Sequence, residues 1–222
     1  MDKYISKLKD LFEEHRSPEN AVGMEKYMKN HFPFLGIKKP LRAELEKAFY
    51  VETGLDKEPF DERFVRMLWE LPEREYQYTA LGYLAKFNRK LGPETLWLAK
   101  DLITGKSWWD TVDALASNPV GVLAARSPEE IPFVIDKWAV SDHMWLRRTA
   151  ILHQLKYKNE TDEQRLYTYI RQNADSKEFF IQKAIGWALR EYSKTNPDSV
   201  REFIQNSKLA ALSRREGSKY LG

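Results

Sequence analysis

Asp113 is the residue whose type and position in this chain most clearly suggest chemistry. It follows Trp109 by four residues, so on a helix the carboxylate and the indole share one face, one turn apart. Arg148 and Trp187 can be placed on the same face by a repeat in the sequence. An ionised carboxylate stabilises developing positive charge, and the faces of tryptophan rings also attract cations. These residues therefore form a candidate site for a reaction that passes through a cationic state.

The repeat consists of segments that each begin with an aromatic residue, at positions 76–80, 109–113, 145–149 and 180–184. Their starts are 33, 36 and 35 residues apart (109−76, 145−109 and 180−145). A period of this size is typical of stacked helical pairs of the HEAT or TPR class. Four residues after the aromatic, the segments carry Ala80, Asp113, Thr149 and Ala184. Asp113 is thus an acid where the pattern otherwise has a small residue.

Two interpretations of this face remain open from the residues alone. Counted from the aromatic start, Asp113 is at +4, Arg148 at +3 and Trp187 at +7, and these offsets share one helix face. If the repeats stack in register, the three side chains converge on one surface. Alternatively, Asp113 and Arg148 are an interior ion pair and the two tryptophans are core aromatics. Nearby charges are either part of the site or ordinary solvated charge; they are Lys156, Lys158, Lys183 and Arg190.

Composition excludes several classes of site. The chain of 222 residues has no cysteine, which rules out disulfides, thiolate zinc sites and iron–sulfur clusters. Its four histidines have no metal-ligand spacing, so we expect no metal and no cofactor. No signal peptide or membrane-spanning apolar run is present, and we expect a soluble cytoplasmic protein. The net charge of +3 does not by itself indicate a nucleic-acid partner.

The remaining pattern predicts helices. Prolines behind capping residues predict helix starts near Pro18, Pro93, Pro128 and Pro197, and capping-box spacing occurs at 127–130 and 161–164. Apolar residues recur every three to four positions and strand signals are poor, so we expect about a dozen helices in antiparallel pairs. No linker divides the chain, which predicts one domain over 1–222. Residues 1–60 fit the repeat least well and are expected to form an atypical N-terminal cap.

Several runs of residues resemble the AlkD family of DNA alkylation-repair glycosylases. One is Lys-Ser-Trp-Trp-Asp-Thr-Val-Asp at 106–113, and the others are 27–37, 71–75, 145–148, 154–158 and 176–192; their occurrence in order makes the match specific. The resemblance covers nearly the whole chain. It implies an all-α fold: a right-handed solenoid of HEAT-like antiparallel helical-pair repeats with a concave DNA-binding face.

The resemblance also implies an activity, excision of cationic N3- and N7-alkylated purines from duplex DNA by hydrolysis of the N-glycosidic bond. By position it assigns catalysis to Asp113, flanked by Trp109 and Trp187, and a DNA-backbone contact to Arg148, with Tyr27 near the same cleft. Lys156, Lys158, Lys183 and Arg190 become candidate phosphate contacts. We expect a monomer that binds alkylated duplex DNA and no membrane.

The implied chemistry fits a site with one carboxylate. A purine alkylated at N3 or N7 is already cationic, so it leaves as a neutral base without a general acid. Charge then develops on the sugar, where ionised Asp113 can stabilise an oxocarbenium ion and orient water. The competing hypothesis is a non-catalytic HEAT-like scaffold that binds DNA or a protein partner in the same groove. An acid facing phosphates would weaken such a scaffold, so Asp113 favours the enzyme.

Overall fold

The computed structural model describes residues 1–222, and every regular element in it is helical. This confirms the predicted all-α fold class. No helix is both long enough and apolar enough to span a membrane. The α-helices are α1 (Asp2–Glu13), α2 (Pro18–Tyr27), α3 (Lys39–Thr53), α4 (Glu62–Glu70), α5 (Arg74–Phe87), α6 (Thr95–Thr104), α7 (Trp109–Leu115), α8 (Gly121–Arg126), α9 (Ile131–Ala139), α10 (Met144–Leu152), α11 (Glu163–Gln172), α12 (Phe179–Tyr192), α13 (Pro197–Asn206) and α14 (Ala211–Gly217).

Local signals place some helix starts correctly and others a few residues early. Pro18 and Pro197 are the first residues of α2 and α13, and each follows a residue whose side chain accepts a hydrogen bond from the first turn. Pro93 and Pro128 instead begin turns, and α6 and α9 start only at Thr95 and Ile131. The predicted capping box at 161–164 is wrong by one residue, because Asp162 caps α11 by accepting from the backbone N–H of Arg165 at 2.9 Å.

The chain forms two compact units, residues 1–90 and 91–222. The predicted single domain over 1–222 stays a prediction. The first unit contains α1 to α5 around an aromatic core, in which Phe49 stacks on Phe64 with ring centroids 6.1 Å apart and Phe64 meets Tyr83 edge-on at 5.0 Å. These rings are fully buried.

A buried carboxylate fixes the connection between α2 and α3. Glu75 accepts hydrogen bonds from the backbone N–H groups of Leu35, Gly36 and Ile37 at 3.0, 2.9 and 3.0 Å. Gly36 has a φ of +88°, which favours glycine, and a Cβ there would overlap the carbonyl oxygen of Ser17. The predicted atypical cap thus contains a loop of defined conformation that is held from α5.

The second unit contains α6 to α14, and the repeat is visible in the starts of four helices, three of them in this unit. The helices α5, α7, α10 and α12 begin at residues 74, 109, 144 and 179, a constant step of 35 (109−74, 144−109 and 179−144). Within the second unit, Asp113, Arg148 and Lys183 are therefore each the fifth residue of their helix. The sequence repeat was counted from aromatic residues and put Asp113 one position out of step with Arg148; the helix starts place them at equivalent positions.

Candidate functional site

Asp113 and Arg148 are joined by a two-pronged ion pair. Nε of Arg148 donates to Oδ1 of Asp113 at 2.7 Å, and the NH2 group donates to Oδ2 at 2.8 Å. The carboxylate side chain is 13% exposed and the guanidinium side chain 5%. Such a fork fixes the plane of the carboxylate as well as its position. The structure thus brings these two sequence-predicted residues together.

Arg148 is itself held from α12. Its NH1 group donates to the carbonyl oxygen of Phe180, and its guanidinium carbon lies 5.8 Å from the centre of the Phe180 ring. Phe180 in turn packs against Trp145 and Trp108, each at a centroid distance of 5.0 Å, and the two tryptophans lie 5.8 Å apart. This three-ring cluster anchors the arginine that orients Asp113.

Burial and charge act in opposite directions on Asp113. Removal from water raises the pKa of this carboxyl above its usual range, and the hydrogen bonds and charge of Arg148 oppose that rise. The nearby charge of Asp110 raises the pKa further, but less strongly. Arg148 is therefore the group that favours the ionised form of Asp113.

The helix that carries Asp113 does not continue as a regular α-helix. Residues 116–120 form a π-helical turn that contains Pro119 and leads directly into α8. Ser117 donates to the carbonyl oxygen of Asp113 at 3.0 Å, and the Asn118 amide donates to that of Ala114 at 2.9 Å. Proline has no N–H to donate, so side-chain donors partly replace the regular ladder here. π-Helical turns are frequent at functional sites.

The predicted aromatic residues fall in both units. Trp109 is the first residue of α7, Trp187 lies on α12, and both are half-buried. Tyr27 is the last residue of α2, in the first unit, and is 68% exposed. Trp108, which the sequence reasoning passed over for its neighbour, makes the contacts to Trp145 and Phe180.

The four predicted cationic residues have different surroundings. Lys183 and Arg190 both contact Glu216 of α14, at 3.1 and 2.9 Å, and the hydrogen bond from Lys183 is the main reason that the pKa of Glu216 is lowered. Lys156 donates to Oδ1 of Asn118, in the π-helical turn after Asp113. Lys158 is exposed and borders a cavity.

The sequence did not predict Glu216 and Asn118 as partners of the cationic residues, for the same reason in both cases. Glu216 lies 33 residues from Lys183 and 26 from Arg190, and Asn118 lies 38 residues from Lys156. Neither occupies a position that the aromatic-start repeat marks. The step of 35 between helix starts is the signal that could have directed attention to neighbouring repeats.

Comparisons with known proteins agree with this architecture. A family model described as DNA alkylation repair enzyme matches residues 8–221. The predicted DNA alkylation repair enzyme from Enterococcus faecalis has a similar structure, with a TM-score of 0.86 and 36% sequence identity over 93% of this chain and 97% of that one.

More distant structures share the fold. AlkD2 from Streptococcus mutans matches with a TM-score of 0.60 and 19% identity over 82% of this chain and 98% of that one. The protein smu.31 from Streptococcus mutans UA159 also matches at 0.60 and 19%, over 83% and 99%. No curated protein gives a significant match. The family model and the Enterococcus faecalis structure, which extend over most of the chain, establish that it belongs to the DNA alkylation repair enzyme family.

Proposed function

We propose that this protein is a monofunctional DNA glycosylase that hydrolyses the N-glycosidic bond of N3- and N7-alkylated purines in duplex DNA. The observation that carries the proposal is the Asp113–Arg148 pair, a carboxylate oriented by two hydrogen bonds and still 13% exposed. Membership of the DNA alkylation repair family supports alkylated DNA as the class of substrate. The oxocarbenium character of glycosidic bond cleavage supplies the need for a fixed negative charge.

The proposed reaction needs one carboxylate and no general acid. The C1′–N bond breaks and its electron pair neutralises the cationic base, which leaves as it is. The positive charge passes to the sugar, where Asp113 stabilises it. Water then forms the new bond to C1′ and its proton passes to Asp113 or to solvent. Because the leaving group is already activated, the residues present are sufficient for this chemistry.

Arg148 supports this role chiefly through Asp113. A carboxylate that must stabilise a cation has to be ionised, and burial disfavours that state. Arg148 opposes the effect and also fixes the orientation of both oxygens. Its side chain is 5% exposed, which leaves little surface for the phosphate contact that the family resemblance assigns to it. We therefore give the orientation of Asp113 priority over direct DNA contact.

The other predicted residues have proposed roles in binding DNA. Trp109 and Trp187, half-buried, would pack on the deoxyribose and present their ring faces to positive charge. Tyr27, 68% exposed, would contact DNA from the first unit. Lys156, Lys158, Lys183 and Arg190 would contribute phosphate contacts that depend on salt.

The test of this function is the dependence of base release on the charge of the leaving group. Duplex DNA carrying 7-methylguanine should release free base, and a matched duplex carrying hypoxanthine, a neutral purine, should not. The difference is expected because no residue is proposed to protonate a leaving base. Release of both bases would contradict the single-carboxylate chemistry. Release of neither, with DNA binding intact, would favour the non-catalytic scaffold.

A further inference from the structure

A cavity of about 200 Å³ lies in the second unit; its lining includes Lys158, one of the proposed phosphate contacts, but not Asp113, Arg148 or the two tryptophans of the proposed chemistry. It is formed by the last turns of α10 and α12, by α11, by the segment between α10 and α11 and by the residues that follow α12. Its size suits a ligand smaller than a typical drug molecule. The side chain of Gln154 supports one wall, because its amide both donates to and accepts from the backbone of Asp162 at 3.2 and 2.8 Å.

The rim of this cavity carries donors that no protein group uses. The Lys158 ammonium and the hydroxyls of Thr161 and Thr195 line it and make no hydrogen bond or ion pair within the chain. The other charges in the lining neutralise each other, because Lys194 donates to Glu191 at 2.7 Å. The net charge of the lining is therefore +1, and it comes from Lys158.

Lys158 also has an unusual backbone conformation. Its φ is +53°, in the left-handed region that favours glycine. A non-glycine residue in this region carries a conformational cost, and such residues cluster at sites that bind ligands. Glycine would be easier to accommodate than lysine at this position.

Part of the lining is apolar. Ile151, Leu166 and Ala188 line the cavity and are almost completely buried. A tetrahedral oxyanion can accept from several donors at once, and lysine is a common phosphate ligand. A phosphate on Lys158 and the two threonines would leave an attached sugar free to contact this apolar part of the lining.

We propose that this cavity binds a sugar phosphate, with the phosphate on Lys158, Thr161 and Thr195 and the sugar carbons on Ile151 and Ala188. The same chemistry is available from a deoxyribose phosphate unit of DNA or from a small free sugar phosphate. The assignment of the ligand to DNA rests on the proposed function, whereas the presence of a phosphate site does not.

The experiment uses the full chain and 2-deoxyribose 5-phosphate as the probe, titrated by NMR with inorganic phosphate in parallel. The Lys158→Gly variant should weaken binding about tenfold or more, since it removes a charged donor. It should also keep or raise the melting temperature, because glycine adopts a positive φ without cost. Thr195→Val tests the hydroxyl and should weaken binding less. Lys29→Gly is the control: Lys29 also has a positive φ (+57°) but lies in the other unit, so the substitution should leave binding of the probe unchanged.

A second experiment shows whether the sugar phosphate that binds the cavity is part of DNA or a small free molecule. Binding of undamaged duplex DNA is measured at several salt concentrations for wild type, Lys158→Gly and Lys137→Gln, an exposed lysine on α9 that serves as control. The slope of the logarithm of the binding constant against the logarithm of the salt concentration should become shallower by about 0.9 for Lys158→Gly alone if the bound sugar phosphate is part of DNA. Probe binding lost in Lys158→Gly with an unchanged slope would support a small sugar phosphate instead. The proposal is overturned if the probe does not bind while the slope is unchanged, or if it binds Lys158→Gly as tightly as wild type. Base release from 7-methylguanine DNA, measured separately, shows whether the proposed function holds in either case.

Discussion

Replacing Arg148 by methionine should destabilise the protein because it leaves the Asp113 carboxylate buried without its partner. The two side chains are 5% and 13% exposed and are joined at 2.7 and 2.8 Å. Breaking such a buried pair by removing one partner costs about 3–5 kcal/mol. Since the carboxylate retains some solvent contact, we expect the lower end, about 3 kcal/mol. For a chain of this length, that corresponds to a fall in melting temperature of about 6–12 °C.

A double-mutant cycle separates the pair from other effects of the substitution. In the Asp113→Asn background, Arg148→Met removes no charge partner, so its cost should fall to about 1 kcal/mol. Arg165→Met is the control, because its pairs with Asp136 and Asp162 are both at 3.1 Å but its side chain is 26% exposed and those of the two acids 41% and 48%. A pair with that exposure contributes about 1 kcal/mol or less. The melting temperatures are measured by far-UV circular dichroism.

The same variant has a defined dependence on pH. Burial raises the pKa of the folded-state Asp113 carboxyl, and loss of Arg148 removes the effects that oppose this rise. A raised carboxyl pKa means that the folded state binds a proton more readily than the unfolded state. The stability deficit of Arg148→Met relative to wild type should therefore be largest above the folded pKa and shrink as the pH falls through it. The rate of base release by Arg148→Met should also begin to fall at a higher pH than that of wild type as the solution is acidified.

Equal costs of Arg148→Met in the wild-type and Asp113→Asn backgrounds would refute this reasoning. A stability deficit of Arg148→Met relative to wild type that grows as the pH is lowered would also refute it. Either result would mean that Arg148 stabilises the fold through its contact with Phe180 rather than through the carboxylate.

Two further substitutions test other contacts. Glu216→Gln should release Lys183 and Arg190 from their shared carboxylate, which should strengthen DNA binding and steepen the log–log salt slope by about 0.9 for each phosphate gained. Fluorescence anisotropy at several salt concentrations checks this, and an unchanged slope would exclude both cations from the DNA contact. Gly36→Ala should cost at least about 2 kcal/mol, because it puts a side chain at a positive φ and against the Ser17 carbonyl. Wild-type thermal stability in this variant would show that the loop before α3 adapts readily.

The helical class, the repeat and the Asp113–Arg148 face could be predicted because each leaves a local pattern. Apolar spacing marks helices, and a constant step between helix starts leaves a period in the sequence. The register was one residue out because adjacent tryptophans, Trp108 and Trp109, both fit an aromatic start, and only packing distinguishes them. Likewise, Pro93 and Pro128 fit a first helical turn and a tight turn equally well.

The contacts that the sequence does not reveal are those between repeats. Glu216 meets Lys183 and Arg190 because α14 packs closely on α12, where a Cβ at Gly186 would come within 2.5 Å of the Glu216 side chain. No period or motif encodes that approach. The burial that raises the pKa of Asp113 likewise comes from tertiary packing and has no local signature.

The most direct test of the account is the single-turnover release of 7-methylguanine from duplex DNA by wild type and Asp113→Asn, with melting temperatures measured on the same preparations. Asp175→Asn, which changes an exposed acid in the same unit, is the control. The account predicts release by wild type and by the control, and a rate about 100-fold or more lower for Asp113→Asn, with DNA binding equal or tighter. Release by Asp113→Asn at the wild-type rate would contradict it, and lower stability with unchanged release per folded molecule would assign Asp113 a purely structural role.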